Sequence, residues 1–231
     1  NFSVNVVGLD GHHIGALQSV REIPGFLALL VTYVILIIRE HKLAALSILM
    51  LGGGVFLTGL LPSFAGLMIT TVVMSFGFHY FETCNQSLTL QYFDRDSSPH
   101  VLSLQRSWAA AASVAVGLLI FVIAPFMSYT AMYILFGILI CAGGLWAFTR
   151  EPEREGLPPQ KKSMVLKKKY WLFYFLTFMA GARRQIFIAF AVFLLVKKFG
   201  FSVQEITILF LVNNVINFFI NPLIGKFIVR Y

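Results

Sequence analysis

The chain has 231 residues, of which 58% are hydrophobic and only 12% are charged. Soluble domains carry about 25% charged residues, so this composition indicates a membrane protein. The formal net charge is +8, but the basic residues lie mainly in short connectors between apolar runs. That distribution argues against a solvated surface for nucleic acid, and no nucleic-acid partner is expected.

The two cysteines, Cys84 and Cys141, both lie inside apolar runs and lack the spacing of metal ligands. We therefore interpret both as packing residues, and we expect no disulfide framework, no metal and no cofactor. No cleavable signal peptide is visible, and the chain stops directly after an apolar segment. We expect it to be a piece of a longer protein.

Seven apolar runs are separated by charged residues, Pro or Gly. A transmembrane helix needs about 20 mostly apolar residues, and the runs have about that length. They lack the two-residue alternation of barrel strands, so they predict an all-α, polytopic membrane protein. In chain order the predicted spans are Ile14–Ile38, Leu43–Leu61, Phe64–Tyr92, Leu102–Ala124, Tyr129–Phe148, Tyr170–Val196 and Val203–Val229.

Lysine and arginine, among them Arg39 and Lys42, are concentrated in one alternate set of connectors. The positive-inside rule predicts that this set is cytoplasmic. The longest connector, 149–169, is rich in Pro and in charge, and we expect it to touch anionic lipid headgroups. It separates a predicted N-terminal helical bundle, 1–148, from the first two helices of a second bundle, 170–231.

A weak internal repeat supports this division. When Arg39 is aligned with Arg230, each copy shows a polar turn, a helix with a polar cluster, and a basic cytoplasmic end. The polar cluster of the first copy is Arg21 and Glu22, and that of the second copy is a pair of asparagines. Such repeats are common in secondary transporters.

The last predicted span ends in "NPLIGKFIVRY". Gly225, with Arg230 five residues later and Tyr231 after it, matches part of a loop motif, although Val229 stands where that motif has an acid. Together with the parallel repeats and the long basic loop between them, this pattern resembles the major facilitator superfamily, and in particular its bacterial secondary transporters.

The resemblance implies a fold and an activity. The seven spans would be the second to the eighth of twelve helices, in a partial two-bundle fold with pseudo-symmetric halves. It also implies transport by alternating access in a bacterial inner membrane, with the solute site between the halves. The full-length protein is expected to be monomeric.

Two adjacent arginines, Arg183 and Arg184, lie near the middle of the predicted span Tyr170–Val196. A central charge costs roughly 2.5 to 3.5 kcal/mol on insertion scales, so such residues face a bundle interior or a wet cavity. A guanidinium binds carboxylate or phosphate with two hydrogen bonds, which predicts an anionic solute. In the alternative, both arginines are structural and bind carbonyls or an acid such as Glu82. Gln185 is a further candidate for binding the solute.

His79, Glu82 and Gln86 fall at i, i+3 and i+7, and therefore on one helix face. The resemblance places this helix and the helix of the two arginines beside the central cavity, with His79 and Gln86 as candidate solute contacts. Because burial favours the protonated form of a carboxyl group, Glu82 is a candidate for a coupling proton shared with His79. In the alternative, Glu82 only neutralises Arg106 on the next span.

Two other polar groups lie inside predicted spans. Arg21 and Glu22 are adjacent and point in different directions, so we expect a separate partner for each, with a gate as one candidate role. Asn214 and Asn217 share a face with Asn221. They either hold helices together by hydrogen bonds or bind the solute.

The sequence contains no HExxH, GxSxG or Gly-rich phosphate loop, which argues against an enzyme. The predicted function is secondary active transport of a small, anionic solute, with protons as the expected coupling ion. The alternatives are a polytopic sensor or assembly factor that transports nothing, and a lipid flippase whose cavity opens sideways to the bilayer.

Overall fold

The computed structural model describes residues 2–151, 167–176, 179, 195, 199–201 and 203–230. In these residues the regular secondary structure is helical and no strand occurs, which confirms the predicted all-α fold. The helices whose bounds are described are α1 Phe2–Asn5, α2 Gly11–Leu27, α3 Val31–Val34, α4 Glu40–Leu60, α5 Phe64–Tyr92, α6 Ser98–Ile123, α7 Tyr129–Phe148 and α8 Val203–Arg230.

Among the described residues, α4, α5, α6 and α7 are long and apolar enough to cross a membrane. The bounds of α5 and α7 agree with the prediction, whereas α4 and α6 each begin a few residues earlier than predicted. α8 contains a shorter apolar stretch, Ile208–Ile224. Most of the predicted span Tyr170–Val196 lies outside the described residues.

The predicted first span, Ile14–Ile38, is divided into shorter pieces. α2 ends at Leu27 and is followed by the 3-10 helix Ala28–Leu30 and then by α3. Pro24 is a buried residue in the C-terminal half of α2. It lacks the N–H that donates to the carbonyl four residues earlier in an α-helix, and its ring crowds that carbonyl. A short 3-10 stretch inside a helix often marks a hinge.

α4 packs against both α5 and α7, and glycines allow the three backbones to approach closely. A Cβ added at Gly77 of α5 would lie 2.5 Å from the Ser47 carbonyl oxygen of α4. One added at Gly137 of α7 would lie 2.6 Å from the backbone of Phe56 in α4. Contacts between membrane helices are often formed by small residues, because these let the two backbones approach closely.

An apolar cluster forms where α3, α4 and α5 meet. Val31 of α3 packs with Leu43 and Ala44 of α4 and with Cys84 of α5. This contact confirms the interpretation of Cys84 as a packing residue. The Sγ of Cys141 lies 3.8 Å from the carbonyl oxygen of Leu49, also between helices.

The chain divides into two compact units. The first comprises Asn1–Leu102 and Gly117–Gln160, and the second comprises Ser103–Val116 and Lys161–Tyr231. α2, α4, α5 and α7 therefore belong to the first unit, and α8 belongs to the second. The domain boundaries expected from the sequence stay a prediction.

Candidate functional site

One face of α5 is polar along half of its length. Ser75, His79, Glu82 and Gln86 follow one another at intervals of three or four residues, so they lie in a row on one side of the helix. α5 is continuous through all four, and it packs on α4. This row is called the polar face of α5 below.

α2 packs on the N-terminal end of the polar face. The Ser75 hydroxyl donates a hydrogen bond to the backbone carbonyl of Arg21, and Ser75 is only 4% exposed. One turn further along both helices, a Cβ added at Gly25 would lie 3.2 Å from Nε2 of His79. α2 therefore covers Ser75 and contacts His79, and the lack of a side chain at residue 25 makes that contact possible.

The rest of the polar face is more open within the described part of the chain. His79 and Glu82 are half-buried, and Gln86 is exposed. Exposure therefore increases along α5 from Ser75 to Gln86. Glu82 therefore lies between the buried and the exposed end of the polar face.

Arg21 and Glu22 are partners of each other. Nε of Arg21 donates a hydrogen bond to Oε1 of Glu22 over 3.3 Å, and both side chains are partly exposed. The expectation of separate partners is therefore wrong. Adjacent residues diverge by about 100° on a helix, but both side chains are long and flexible enough to bend towards each other.

α2 is fixed at its start by a side-chain cap. Asp10 accepts hydrogen bonds from the backbone N–H of His13 over 3.0 Å and pairs with Nδ1 of the same residue at 2.7 Å. These hydrogen bonds lower the pKa of Asp10 below its ordinary value. The cap satisfies a free N–H of the first turn and defines where α2 begins.

The predicted solute-binding residues Arg183, Arg184 and Gln185 lie outside the described residues. Arg106 is an exposed residue of α6 that belongs to the second unit, while Glu82 belongs to the first. The pairing of Glu82 with Arg106 stays a prediction.

The asparagines of the last span lie on α8, as the sequence predicts. Asn214, Asn217 and Asn221 are half-buried, whereas Asn213 is exposed. α8 runs through all of them, so the spacing of Asn214, Asn217 and Asn221 places these three on one face. Both roles of these asparagines, holding helices together and binding the solute, stay predictions.

Two residues of the first unit are not predicted from the sequence. Ser75 extends the polar face one turn before His79, and the same spacing could have revealed it. Glu40, the first residue of α4, is 7% exposed and accepts a hydrogen bond from the Ser87 hydroxyl over 2.8 Å. No spacing pattern in the sequence indicates the burial of Glu40, because this residue stands next to Arg39 in a charged connector that is expected to be solvated.

Ion pairs join the end of α7 to the start of α4. Oε1 of Glu151 lies 3.2 Å from Nζ of Lys42 and 3.9 Å from Nη1 of Arg39. The hydrogen bond from Lys42, followed by the charges of Lys42 and Arg39, lowers the pKa of Glu151 below its ordinary value. All three side chains are at least partly exposed, so this is a surface network.

A comparison with known families identifies the chain. The family model described as Major Facilitator Superfamily matches residues 2–231. No match was found among curated proteins or among solved structures. The matched family consists of secondary transporters of the membrane and not of enzymes, in agreement with the helical, multi-pass architecture. The chain therefore belongs to the major facilitator superfamily.

Proposed function

We propose that the protein moves a small, anionic solute across the bacterial inner membrane by alternating access, coupled to protons. Membership of the family supports secondary transport in general. The observation that carries the finer proposal is the polar face of α5, which is half covered by α2.

The energetic argument concerns a polar row inside an apolar helix. Ionisable and polar side chains at membrane depth are costly in lipid and are found facing a bundle interior or a water-filled cavity. α2 covers Ser75 by a hydrogen bond and contacts His79 through Gly25. Glu82 lies about one turn further along the same face and is half-buried, and in this proposal its carboxylate faces the path of the solute.

The proton step is assigned to Glu82. A half-buried carboxylate takes up and releases a proton as its surroundings change from wet to dry. The imidazole of His79, one turn away on the same face, is suited to share that proton. Arg21 and Glu22 pair beside the covered end of the face and are the proposed gating residues.

The anion is assigned to the arginines. Arg183 and Arg184 supply guanidinium groups for a carboxylate or phosphate, with Gln185 beside them as a neutral donor. Asn214 and Asn217 are further candidate contacts. In the rival hypothesis the protein is a sensor, and these polar groups only stabilise its fold. A cysteine introduced at Arg183 would then react with a thiol reagent at the same rate with and without any solute.

The test uses the intact protein in liposomes that contain a pH-sensitive dye. Small carboxylates and small organic phosphates are added outside as probes, and acidification or alkalinisation of the lumen is recorded. We expect one of these probes to drive proton movement. Arg183→Ala and Arg184→Ala should abolish the response to every probe, because the anion no longer binds.

Glu82→Gln separates the proton step from solute binding. It should abolish proton movement but preserve exchange of labelled anion across the membrane. Ser113→Ala is the control, since Ser113 is exposed on α6 and its hydroxyl only donates to the Ala109 carbonyl of its own helix. Unchanged proton movement in all three site variants would refute the proposed site.

A further inference from the structure

We propose that the ends of α4 and α7 on the predicted cytoplasmic side form a binding site for an anionic phospholipid. The headgroup phosphate lies against Arg150 and Arg39, and an acyl chain lies along the exposed face of α7. The site is independent of the solute pathway, and it rests on the membrane location that the family establishes.

The first observation is an exposed apolar stripe on α7. The side of α7 that contains Gly137 and Gly144 packs on α4. Other apolar side chains, all within about 120° of one another around the helix axis, are exposed from the middle of the helix to its end. They are Leu135, Ile138, Leu139, Leu145 and Trp146. A stripe of this kind on a membrane helix is suited to an acyl chain.

The second observation is an aromatic residue and a cation at the end of this stripe. Trp146 is 63% exposed, and the guanidinium of Arg150 lies over its ring, 5.2 Å from the ring centroid. Tryptophan is enriched at the level of the lipid headgroups. The cation–π contact holds the guanidinium where an acyl chain on the stripe would meet its own headgroup.

The third observation is the charge around this point. Among the residues that the structure describes, three cations, Arg150, Arg39 and Lys42, are present against one exposed carboxylate, that of Glu151. The side chain of Arg39 is 72% exposed and lies 3.9 Å from Glu151, so its guanidinium has donors left for another acceptor. Within these described residues the excess is positive, and it is located at the end of the stripe.

The acid that stands between Arg39 and Lys42 in the sequence, Glu40, does not reduce this excess at the surface. Glu40 is buried and accepts a hydrogen bond from Ser87 of α5, so its carboxylate is turned towards the helix contact. Anionic lipids of the cytoplasmic leaflet attract basic residues, and guanidinium groups bind phosphate with two hydrogen bonds. The apolar stripe favours a lipid as the occupant over a free phosphate ion, which has no acyl chain.

The experiment uses the fluorescence of Trp146. Every other tryptophan of the intact protein is replaced by phenylalanine, with Trp108→Phe and Trp171→Phe among the changes. The protein is reconstituted in phosphatidylcholine bilayers that contain increasing fractions of brominated phosphatidylglycerol or brominated phosphatidylcholine. Bromine quenches tryptophan at short range, so the two quenching curves give the relative affinity of the two lipids for this position.

We expect phosphatidylglycerol to be preferred about fivefold or more, the factor that corresponds to about 1 kcal/mol for a basic residue near the membrane surface. Arg150→Gln and Arg39→Gln should each bring the ratio towards one, while Arg150→Lys should retain most of the preference. Each ratio compares two lipids within one variant, so a change in the emission of Trp146 itself does not affect it.

Arg95→Gln is the matched control, because Arg95 is an exposed arginine in the connector between α5 and α6, on the same predicted side. The preference should survive in this variant. Equal quenching by the two lipids in the parent protein would overturn the proposal. So would a preference that persists in both Arg150→Gln and Arg39→Gln, or one that Arg95→Gln lowers equally, since either result indicates only a diffuse surface field.

Discussion

At the scale of single residues, the contact between Gly25 and His79 decides how closely α2 lies on the polar face of α5. A Cβ at residue 25 would lie 3.2 Å from Nε2 and 3.3 Å from Cε1 of the imidazole ring. Such distances require the ring to shift by a few tenths of an ångström for alanine and by more for a branched side chain. The position of a titratable group in the proposed site therefore depends on a glycine in another helix.

Gly25→Val is expected to lower the free energy of unfolding by about 1 to 3 kcal/mol, because it overpacks the contact between α2 and α5. The double variant Gly25→Val, His79→Ala should recover most of the loss, since the ring that clashes is removed. Thermal unfolding of the detergent-solubilised protein measures both effects. Gly15→Val, at a position of α2 with no atom within 4 Å of an added Cβ, is the control. Equal losses at residues 15 and 25 would contradict the contact.

Glu151 provides a prediction about pH. Lys42 and Arg39 hold the pKa of this carboxyl group below its ordinary value of 4.5. A depressed folded-state pKa stabilises the fold above the unfolded-state pKa, and this contribution is lost as pH falls through the lowered folded value.

We therefore expect the melting temperature of the parent protein to fall more steeply below about pH 4.5 than that of Lys42→Gln, because the variant lacks the main partner of Glu151. Lys42→Arg should behave like the parent. The effect is small because the pair is exposed, so the measurement is the difference between melting curves across a pH series. Identical pH profiles for Lys42→Gln and the parent would refute it.

At the scale of helices, α4 is packed by glycines and α2 is broken near a proline. The glycines bring α5 and α7 so close to α4 that even a methyl group meets backbone atoms. Pro24, in contrast, removes one helical hydrogen bond and is followed within one turn by the 3-10 stretch Ala28–Leu30. In the first unit, α4 therefore packs tightly against α5 and α7, whereas α2, which lies beside the polar face, is locally weakened.

Gly137→Ala tests the packing of α7 on α4. An added Cβ would lie 2.6 Å from N, Cα and Cβ of Phe56, and backbone atoms cannot rotate away as a side chain can. We expect a loss of about 1 to 3 kcal/mol, read as a lower melting temperature. Gly143→Ala on the same helix has nothing within 4 Å of the added atom and should cause no loss. Alanine has the higher helix propensity at both positions, so a loss of similar size in both variants would contradict the role of this contact.

At the scale of the whole molecule, the bilayer explains the surface of the described spans. Only 44% of the apolar window of α4 and 11% of that of α6 are buried inside the chain. In water such exposure would drive aggregation, whereas lipid tails or further transmembrane helices can cover it. Membership of the family makes the chain part of a multi-pass secondary transporter, which is consistent with this surface.

The orientation of the spans is open to a direct test. Phe126, in the connector between α6 and α7, is exposed, and so is Asp96, in the connector between α5 and α6. With Cys84 and Cys141 replaced by alanine, Phe126→Cys should react with a membrane-impermeant maleimide in intact cells, because its connector is predicted to be external. Asp96→Cys should react only after the membrane is made permeable. The reverse pattern would contradict the positive-inside assignment.

The sequence by itself determined the class of the protein, the bounds of α5 and α7, and the row of His79, Glu82 and Gln86. These features depend on apolar length and on helical period, which are local properties of the chain. They are accessible without any knowledge of which helices touch.

Only the tertiary structure decided which polar groups are covered. The hydrogen bond from Ser75 to the Arg21 carbonyl joins residues 54 positions apart, and the contact of Gly25 with His79 joins the same two helices. The burial of Glu40 and the pairing of Arg21 with Glu22 depend likewise on the approach of α5 and on side-chain rotamers. Helical period and hydropathy are properties of each helix alone, so they carry no information about how closely two helices pack.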